Sequence, residues 1–355
     1  MEHPHSIAAL SYFDSLFPVD SPKIETDRPV KTTAESGGDS RRVIQARKFC
    51  EVSVPVPPRL PHPIPYQGSK RSLAPLIAPY VPIDVETWYE PFAGSAAMTI
   101  WAAYHSLARK YVISDALRPM CDLWNAIIEE PHTTSRRYGD VWHGQLNEGH
   151  GYFNEVRARY NEEHDPVDLL YLICRCVKNA VRFNRYGRFT QSHDKRRLGM
   201  KPDKMEAAIV GVSRLLRGKT EVRCGDWLES TRDATAEDFI YMDPPYLGTT
   251  IGRDKRYAEQ LELRRLVQGL GEMRRRKLRF ALSYDGMTGE KTYGEPLPGE
   301  LELTRLLLHA GKSSQATLAG RSEDTVESLY LSPGLAEPVV GIIRRHRPEP
   351  VRLFA

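Results

Sequence analysis

The run Asp243-Pro244-Pro245-Tyr246 follows an apolar stretch, Phe239-Ile240-Tyr241-Met242. That stretch reads as a strand, so the run falls at its carboxyl end. Each proline fixes φ near −65° and removes an N–H donor, and Pro244 pushes residue 243 out of the helical region. The result is a stiff loop whose carbonyls point outward. Such a loop suits an exocyclic amino group, a poor nucleophile because its lone pair is delocalised into the ring. The Asp243 carboxylate and the Pro244 carbonyl can each accept one N–H and localise that lone pair toward an electrophile. This is orientation and electrostatic stabilisation, with no strong base needed before attack. Tyr246 offers a ring for a flat base, which must first be flipped out if it starts inside a duplex. The plainer alternative is a strand-ending turn without chemistry.

A second cluster lies upstream. Glu90-Pro91-Phe92-Ala93-Gly94-Ser95 leaves a strand predicted at Val85–Glu90 and opens a helix predicted over Ala96–Leu107. Doubly wound folds bind ligands at such strand ends. Gly94 allows close backbone approach, and the helix N-terminus offers N–H groups to an anion, expected to be a cofactor carboxylate. The next predicted strand, Tyr111–Ser114, leads to Asp115, 21 residues beyond Gly94. An acid there can hold both ribose hydroxyls of a nucleoside cofactor or cap a helix. The spacing does not separate NAD from S-adenosylmethionine, although the absent Gly-x-Gly-x-x-Gly counts against NAD. Pro65-Tyr66-Gln67-Gly68-Ser69-Lys70 reads either as a lid, with Tyr66 on the cofactor and Lys70 supplying charge, or as a loop into a helix at Ser72–Ala78.

The elements that must position these residues alternate from Tyr66 onward as strand and helix, which predicts an α/β fold with a largely parallel sheet. Further strands are expected at Arg279–Ser283 and, as antiparallel edges, at Leu301–His309 and Glu327–Ser332, with a helix over Ala258–Arg275. Between Glu130 and Glu221 the alternation gives way to a helical, basic segment. Its stretch from Arg182 to Lys204 carries eight Lys/Arg against two acids, Asp194 and Asp203. Ten of the 26 prolines fall at or before Pro65, so residues 1–62 read as a disordered or extended arm with a short helix near Ile7–Phe17.

In this order and spacing, the anchors resemble the Dam-type (class α, D12) adenine-specific DNA methyltransferases. Tyr66-Gln67-Gly68-Ser69-Lys70 is similar to the family's opening motif, Glu90–Met98 to its cofactor loop, and Asp243–Tyr246 to its catalytic tetrapeptide. The resemblance implies S-adenosylmethionine as cofactor, a Rossmann-like methyltransferase sheet, and an inserted, mainly helical target-recognition domain containing a β-hairpin. It implies cofactor roles for Tyr66, Lys70, Glu90, Pro91, Phe92, Ala93, Gly94, Ser95, Asp115 and Asp243. Asp226, with Trp227 beside it, would lie by the cofactor's adenine. Arg182-Phe183-Asn184-Arg185-Tyr186-Gly187-Arg188-Phe189 is similar to the family's DNA-entering hairpin. Arg182, Asn184, Arg185, Tyr186, Arg188, Lys195, Arg196 and Arg197 thereby become candidates for contacts to double-stranded DNA.

Lys312-Ser313-Ser314, Gly320-Arg321 and Glu327–Tyr330 look like the final loop and strand. The implied layout is catalytic at 63–130 and 221–345 and target-recognising at 131–220, followed by a tail at 346–355. The pattern departs at Ser95 and Ala96, where the family has glycines. It departs again at Thr190-Gln191-Ser192-His193, so the family's usual target sequence does not carry over.

Composition sets limits on the alternatives. A net charge of +4 permits nucleic-acid binding without demanding it. No stretch nears the roughly 18 apolar residues of a membrane span, and the N-terminus lacks a signal-peptide pattern. Five scattered cysteines, Cys50, Cys121, Cys174, Cys176 and Cys224, read as reduced buried thiols of a cytoplasmic protein, with no metal site. The expected particle is a monomer or weak dimer, with a cognate restriction endonuclease as a possible partner. An RNA adenine or DNA cytosine-N4 methyltransferase stays open, although cytosine-N4 enzymes more often carry Ser in place of Asp243. So does an inactive DNA-binding module, against which the intact Asp243–Tyr246 run and Asp115 argue.

Overall fold

The computed structural model describes residues 60–148, 151–245, 263–288, 291–293, 296–312 and 324–335. The arm before residue 60, Tyr246, residues 258–262 of the expected helix, the loop at 313–323 and the tail at 346–355 lie outside the described residues.

Eight strands form one sheet: β1 (Val85–Glu90), β2 (Ala108–Asp115), β3 (Thr220–Cys224), β4 (Phe239–Met242), β5 (Arg279–Thr288), β6 (Lys291–Tyr293), β7 (Thr304–Lys312) and β8 (Asp324–Leu331). Their order is β3-β2-β1-β4-β5-β8-β7, with β6 pairing β5 off this path. The pairs from β3 through β5 are parallel, whereas β8 joins β5 and β7 antiparallel. All four residues of β4 are buried, as a central parallel strand covered on both faces requires. Its alternation divides the interior into two cores. Phe239 and Tyr241 join Trp88 on one face, and Ile240 and Met242 join Phe280 and Leu282 on the other.

From β1 the chain moves outward through β2 to β3, then returns to lay β4 on the opposite side of β1 and continue to β5. The crevice between the carboxyl ends of β1 and β4 is therefore the topological switch point, where open α/β sheets bind ligands.

Helix α1 (Ala97–Tyr104) follows β1 and α2 (Arg118–Glu129) follows β2. Four helices come next: α3 (Pro131–Glu148), α4 (Tyr152–Glu163), α5 (Pro166–Arg175) and α6 (Pro202–Leu216). They extend one of the two cores, since Val156, Tyr160, Leu172 and Ile209 belong to the same buried cluster as Trp88 and Met98. At the start of α5 the Asp165 carboxylate accepts the N–H of Val167, and Pro166 occupies the first turn. On the other face lie α7 (Trp227–Ser230) and α8 (Leu263–Arg275). In α8, Leu266, Leu270 and Met273 face inward at spacings of four and three. A Cβ on Gly269 would come within 2.4 Å of the Trp227 ring, so only glycine lets α8 lie this close.

Several elements differ from the sequence-based expectation. The helix expected at Ser72–Ala78 is three short turns, Lys70–Ser72, Ala74–Ile77 and Ala78–Tyr80, because Pro75 and Pro79 cannot donate to a continuing ladder. The first C-terminal strand runs over Thr304–Lys312 after a turn at Gly299–Leu301. Strand β3 begins at Thr220, inside what reads as the basic segment. As a half-exposed edge it carries Glu221 and Arg223 and lacks an apolar stripe. Cys224, expected to be buried, is exposed at the end of that strand, whereas Cys121, Cys174 and Cys176 are buried. No helix among the described residues is long and apolar enough to cross a membrane.

Candidate active site

Four of the five parallel strands, β1 to β4, end in an acid or within two residues of one: Glu90, Asp115, Asp226 and Asp243. These four groups line the carboxyl edge of the sheet, and each has a definite partner. Glu90 is buried, and its Oε2 accepts the Thr99 N–H at 2.6 Å and the Thr99 hydroxyl at 2.5 Å. Burial raises its pKa to about 8; the Thr99 bonds oppose that shift and the Asp243 charge adds to it. Glu90 thus holds its proton more tightly than a solvent-exposed carboxyl does. The start of α1, expected to offer its N–H groups to a cofactor carboxylate, already gives the Thr99 amide to Glu90. A carboxyl in the last residue of the preceding strand accepts that one amide without the entropy cost of binding from solution.

The loop after β1 is tightly tethered. Gly94 adopts φ +46°, and a Cβ there would lie 3.1 Å from the Tyr66 ring, so Tyr66 covers the loop directly. Trp124 Nε1 donates to the Gly94 carbonyl at 3.0 Å, and the Ala93 N–H donates to Ser114 O at 2.9 Å. Pro91 and Ala93 are buried beside them. The Ser95 hydroxyl donates to the Ser69 hydroxyl oxygen at 2.9 Å. That bond joins the two loops. Asp115 Oδ2 accepts the Gly94 N–H at 3.1 Å while Oδ1 accepts the Leu117 N–H at 2.9 Å. Desolvation raises the Asp115 pKa, and those amide bonds oppose the shift.

Asp226 caps α7 through the Leu228 N–H at 3.0 Å and pairs with Arg265 at 2.5 Å. Trp227 is buried, its ring 5.8 Å from that of Phe92; it meets the strand-tip loops by supporting Phe92. Lys70 lies 2.9 Å from Asp243 Oδ1 and 3.3 Å from Glu327 Oε2. Its ammonium is buried, and pairing with carboxylates is what makes that tolerable. Pro244 is buried and Pro245 half-buried at the same edge.

The basic stretch is a different construction. Phe183 and Phe189 form a single antiparallel bridge. Between them the Asn184 side chain accepts the N–H groups of Tyr186 at 2.9 Å and Arg188 at 3.1 Å. Gly187 adopts φ +73°, completing a tight turn. Both phenylalanines pack on Tyr160 of α4 at 6.3 Å, which plants the hairpin on the helices. At its tip Tyr186 is 71% exposed, with the Arg185 guanidinium 4.7 Å from the ring centroid. Arg185, Arg188 and Lys195 are exposed, whereas Arg182 is half-buried at the hairpin root. Arg196 and Arg197 both bond the buried Asp194. Burial opposes the Asp194 charge, but these bonds prevail and hold its pKa down at about 2.

A family model described as D12 class N6 adenine-specific DNA methyltransferase matches residues 66–305. The chain belongs to this family. Among curated relatives, the chain is 25% identical over 237 residues to the DNA N-6-adenine-methyltransferase of Escherichia phage P1, covering 62% of this chain and 29% of that protein. It is 23% identical over 190 residues to the Type II methyltransferase M.FokI of Planomicrobium okeanokoites, covering 53% and 29%. With the Type II methyltransferase M.MjaIII of Methanocaldococcus jannaschii it shares 23% over 177 residues, covering 46% and 59%. The chain thus spans under a third of the length of the first two relatives.

Two residues of the strand-tip site, Thr99 and Trp124, read in the sequence as ordinary helix residues and reach the site only once the elements pack. Ser69 and Glu327 lie in stretches similar to the opening motif and the final strand, and contacts with Ser95 and Lys70 bring them to the site. A hydrogen bond between residues 30 positions apart, as for Trp124 and Gly94, leaves no periodicity to read.

Proposed function

We propose that the chain is a site-specific DNA adenine-N6 methyltransferase, using S-adenosylmethionine to modify an adenine turned out of duplex DNA. The observation that carries this reading is the placement of Asp243 at the switch point. It stands at the end of β4, one strand from the Gly94 loop, with Lys70 at 2.9 Å.

The residues present suit the cofactor. The two Asp115 oxygens each accept one backbone N–H, and a carboxylate offers about four acceptor sites. That leaves acceptor capacity for ribose hydroxyls beside the loop-tethering role. Tyr66, Phe92, Pro91, Ala93 and Ser95 would wall the pocket, with Asp226 and the ring-supporting Trp227 on the adenine side. When bound, S-adenosylmethionine supplies a methyl group activated by its sulfonium sulfur.

The chain's own residues do the rest. Asp243 Oδ and the Pro244 carbonyl each accept one N6–H of the adenine and aim the nitrogen lone pair at the methyl carbon. Lys70, held between Asp243 and Glu327, keeps the carboxylate in that pose. As the N–C bond forms, the methyl's bond to sulfur would break with its electron pair left on sulfur as a neutral thioether, and the Asp243 carboxylate stabilises the positive charge that develops on the nitrogen. One N6 proton then passes along its hydrogen bond to Asp243 and on to solvent. Tyr246 would stack on the flipped base and offset part of the unstacking cost.

In this reading residues 63–130 and 221–345 carry the chemistry and 131–220 choose the target, with the hairpin at Arg182–Phe189 meeting DNA. A role in restriction-modification, beside a cognate endonuclease, is supported by relatives named as type II methyltransferases and modification methylases. The test is to incubate the purified chain with S-adenosylmethionine and mixed-sequence DNA, then map modified bases by single-molecule sequencing. N6-methyladenine at one recurring short sequence is the expected result. N4-methylcytosine, or no modified base, would overturn the proposal.

A further inference from the structure

One side of the hairpin faces α4 across a cleft of about 420 Å³. Asn154, Arg157 and Asn161 line it from the helix, and Asn184, Arg188 and Phe189 from the hairpin. The helical residues recur at spacings of three and four, so they share one face of α4. Glu155, Glu162 and Glu163 fall elsewhere on the helix and none lines the cleft.

The polar groups in the cleft divide into scaffold and free donors. Asn161 is tied to the hairpin backbone, since Nδ2 donates to Phe189 O at 3.2 Å and Oδ1 accepts the Phe189 N–H at 2.6 Å. Asn184 Oδ1 is committed to the turn. Arg157 gives one N–H to Gln191 O at 3.2 Å, leaving the rest of its fork available. Among the described residues neither Arg157 nor Arg188 is paired with a carboxylate, in contrast with Arg196 and Arg197. Two guanidiniums from facing walls, with neutral amides and no acid between them, make an anion site.

We propose that this cleft seats one backbone phosphate of the duplex, held jointly by Arg157 and Arg188. This rests on the reading of the chain as a DNA methyltransferase and adds α4 to its DNA-contacting surface. A backbone phosphate is favoured over a base edge because the cleft lies at the hairpin's flank, whereas Arg185 and Tyr186 project from its tip. Two forks approaching from opposite sides suit the two free oxygens of a phosphodiester better than the single planar edge of guanine. Phosphate contacts fix register without reading sequence. Arg188 would then orient the hairpin while Arg185 reads.

The experiment measures duplex affinity against salt for the full chain, using mixed-sequence duplexes with and without the mapped modification site. Each phosphate neutralised adds about 0.9 to the magnitude of the log–log slope. Arg157→Ala and Arg188→Ala should each lower the slope, equally on both duplexes, with the mapped target sequence unchanged. Because both hold one phosphate, the double variant should lose about 0.9 rather than about 1.8. Arg157→Lys should recover most of the loss.

Arg157 also braces the segment at Gln191, so Asn154→Asp supplies a second arm. It alters an exposed residue outside the scaffold bonds and should weaken binding by placing a carboxylate in the cleft. Unchanged slopes in a chain that binds and methylates DNA would remove the cleft assignment alone. A loss confined to one base position would make the cleft a base reader, and a loss near 1.8 would mean two separate phosphates; either overturns the proposal. A parent chain that neither binds nor modifies DNA would overturn the methyltransferase reading and the cleft with it.

Discussion

The carboxyl edge of the sheet and the hairpin that stands on α4 handle charge in opposite ways. At the edge, Glu90, Asp115, Asp226 and Asp243 are tied down by amides, a hydroxyl or a cation, and Lys70 is buried between two carboxylates. At the hairpin, Arg185 and Arg188 are exposed, and the tight turn that carries them is held by backbone and Asn184 bonds. A site that positions one small cofactor against one atom gains from fixed dipoles. A surface that meets a polyanion gains from solvated cations that release counterions on contact. Between the two lie Arg196 and Arg197, basic like the hairpin but locked to Asp194 like the edge.

The contrast is sharpest at Asp243. Asp243→Ala should lower methyl transfer by at least about 100-fold, as loss of a preorganised group at the reacting atom does. Duplex affinity, which belongs to the other region, should stay within about twofold. A single-turnover assay beside a binding isotherm reads both, and near-normal turnover would break the assignment.

Asp115→Ala should weaken S-adenosylmethionine by about 30-fold in titration calorimetry, in line with hydrogen bonds to a charged group. DNA affinity should hold; equal cofactor affinity in both chains would leave Asp115 as a loop tether alone. On the hairpin side the outcome inverts. Arg185→Ala should keep cofactor affinity but relax discrimination between target and near-target sequences by about tenfold. Mapped modification sites report this directly, and an unchanged target would move recognition elsewhere.

The smallest effect tests the buried proton on Glu90. Its pKa is raised from 4.5 to about 8 in the folded chain, so the folded state holds the proton more tightly than the unfolded one. The stabilisation this gives is complete below pH 4.5 and is lost as pH rises toward and through 8. Thermal unfolding midpoints should therefore fall between pH 5 and 9, and Glu90→Gln, neutral throughout, should flatten that decline. A parallel decline in both chains would place the titrating group elsewhere.

Much of the edge is legible in the sequence. Asp243-Pro244-Pro245, Gly94 and Asp115 announce themselves because stiff loops, close backbone approach and strand-tip acids need particular residue types at particular distances along the chain. The hairpin was legible too, through Asn184 and Gly187, since a tight turn imposes local chemistry. Less legible were β3, an edge strand without an apolar stripe, and the broken helix after Lys70, where Pro75 and Pro79 override an otherwise helical reading.

By itself, then, the sequence determined which groups reach the ends of the strands and which loop carries the exposed cations, because strand period, proline stiffness and turn preference act over a few residues. Only the tertiary structure decided how those groups are shared. It gave the α1 amide at Thr99 to Glu90, Lys70 to Asp243 and Glu327, and two of the expected DNA-binding arginines to Asp194. The reason is that a charge entering a desolvated site takes whichever partner packing brings nearest, and that choice is made between elements far apart along the chain.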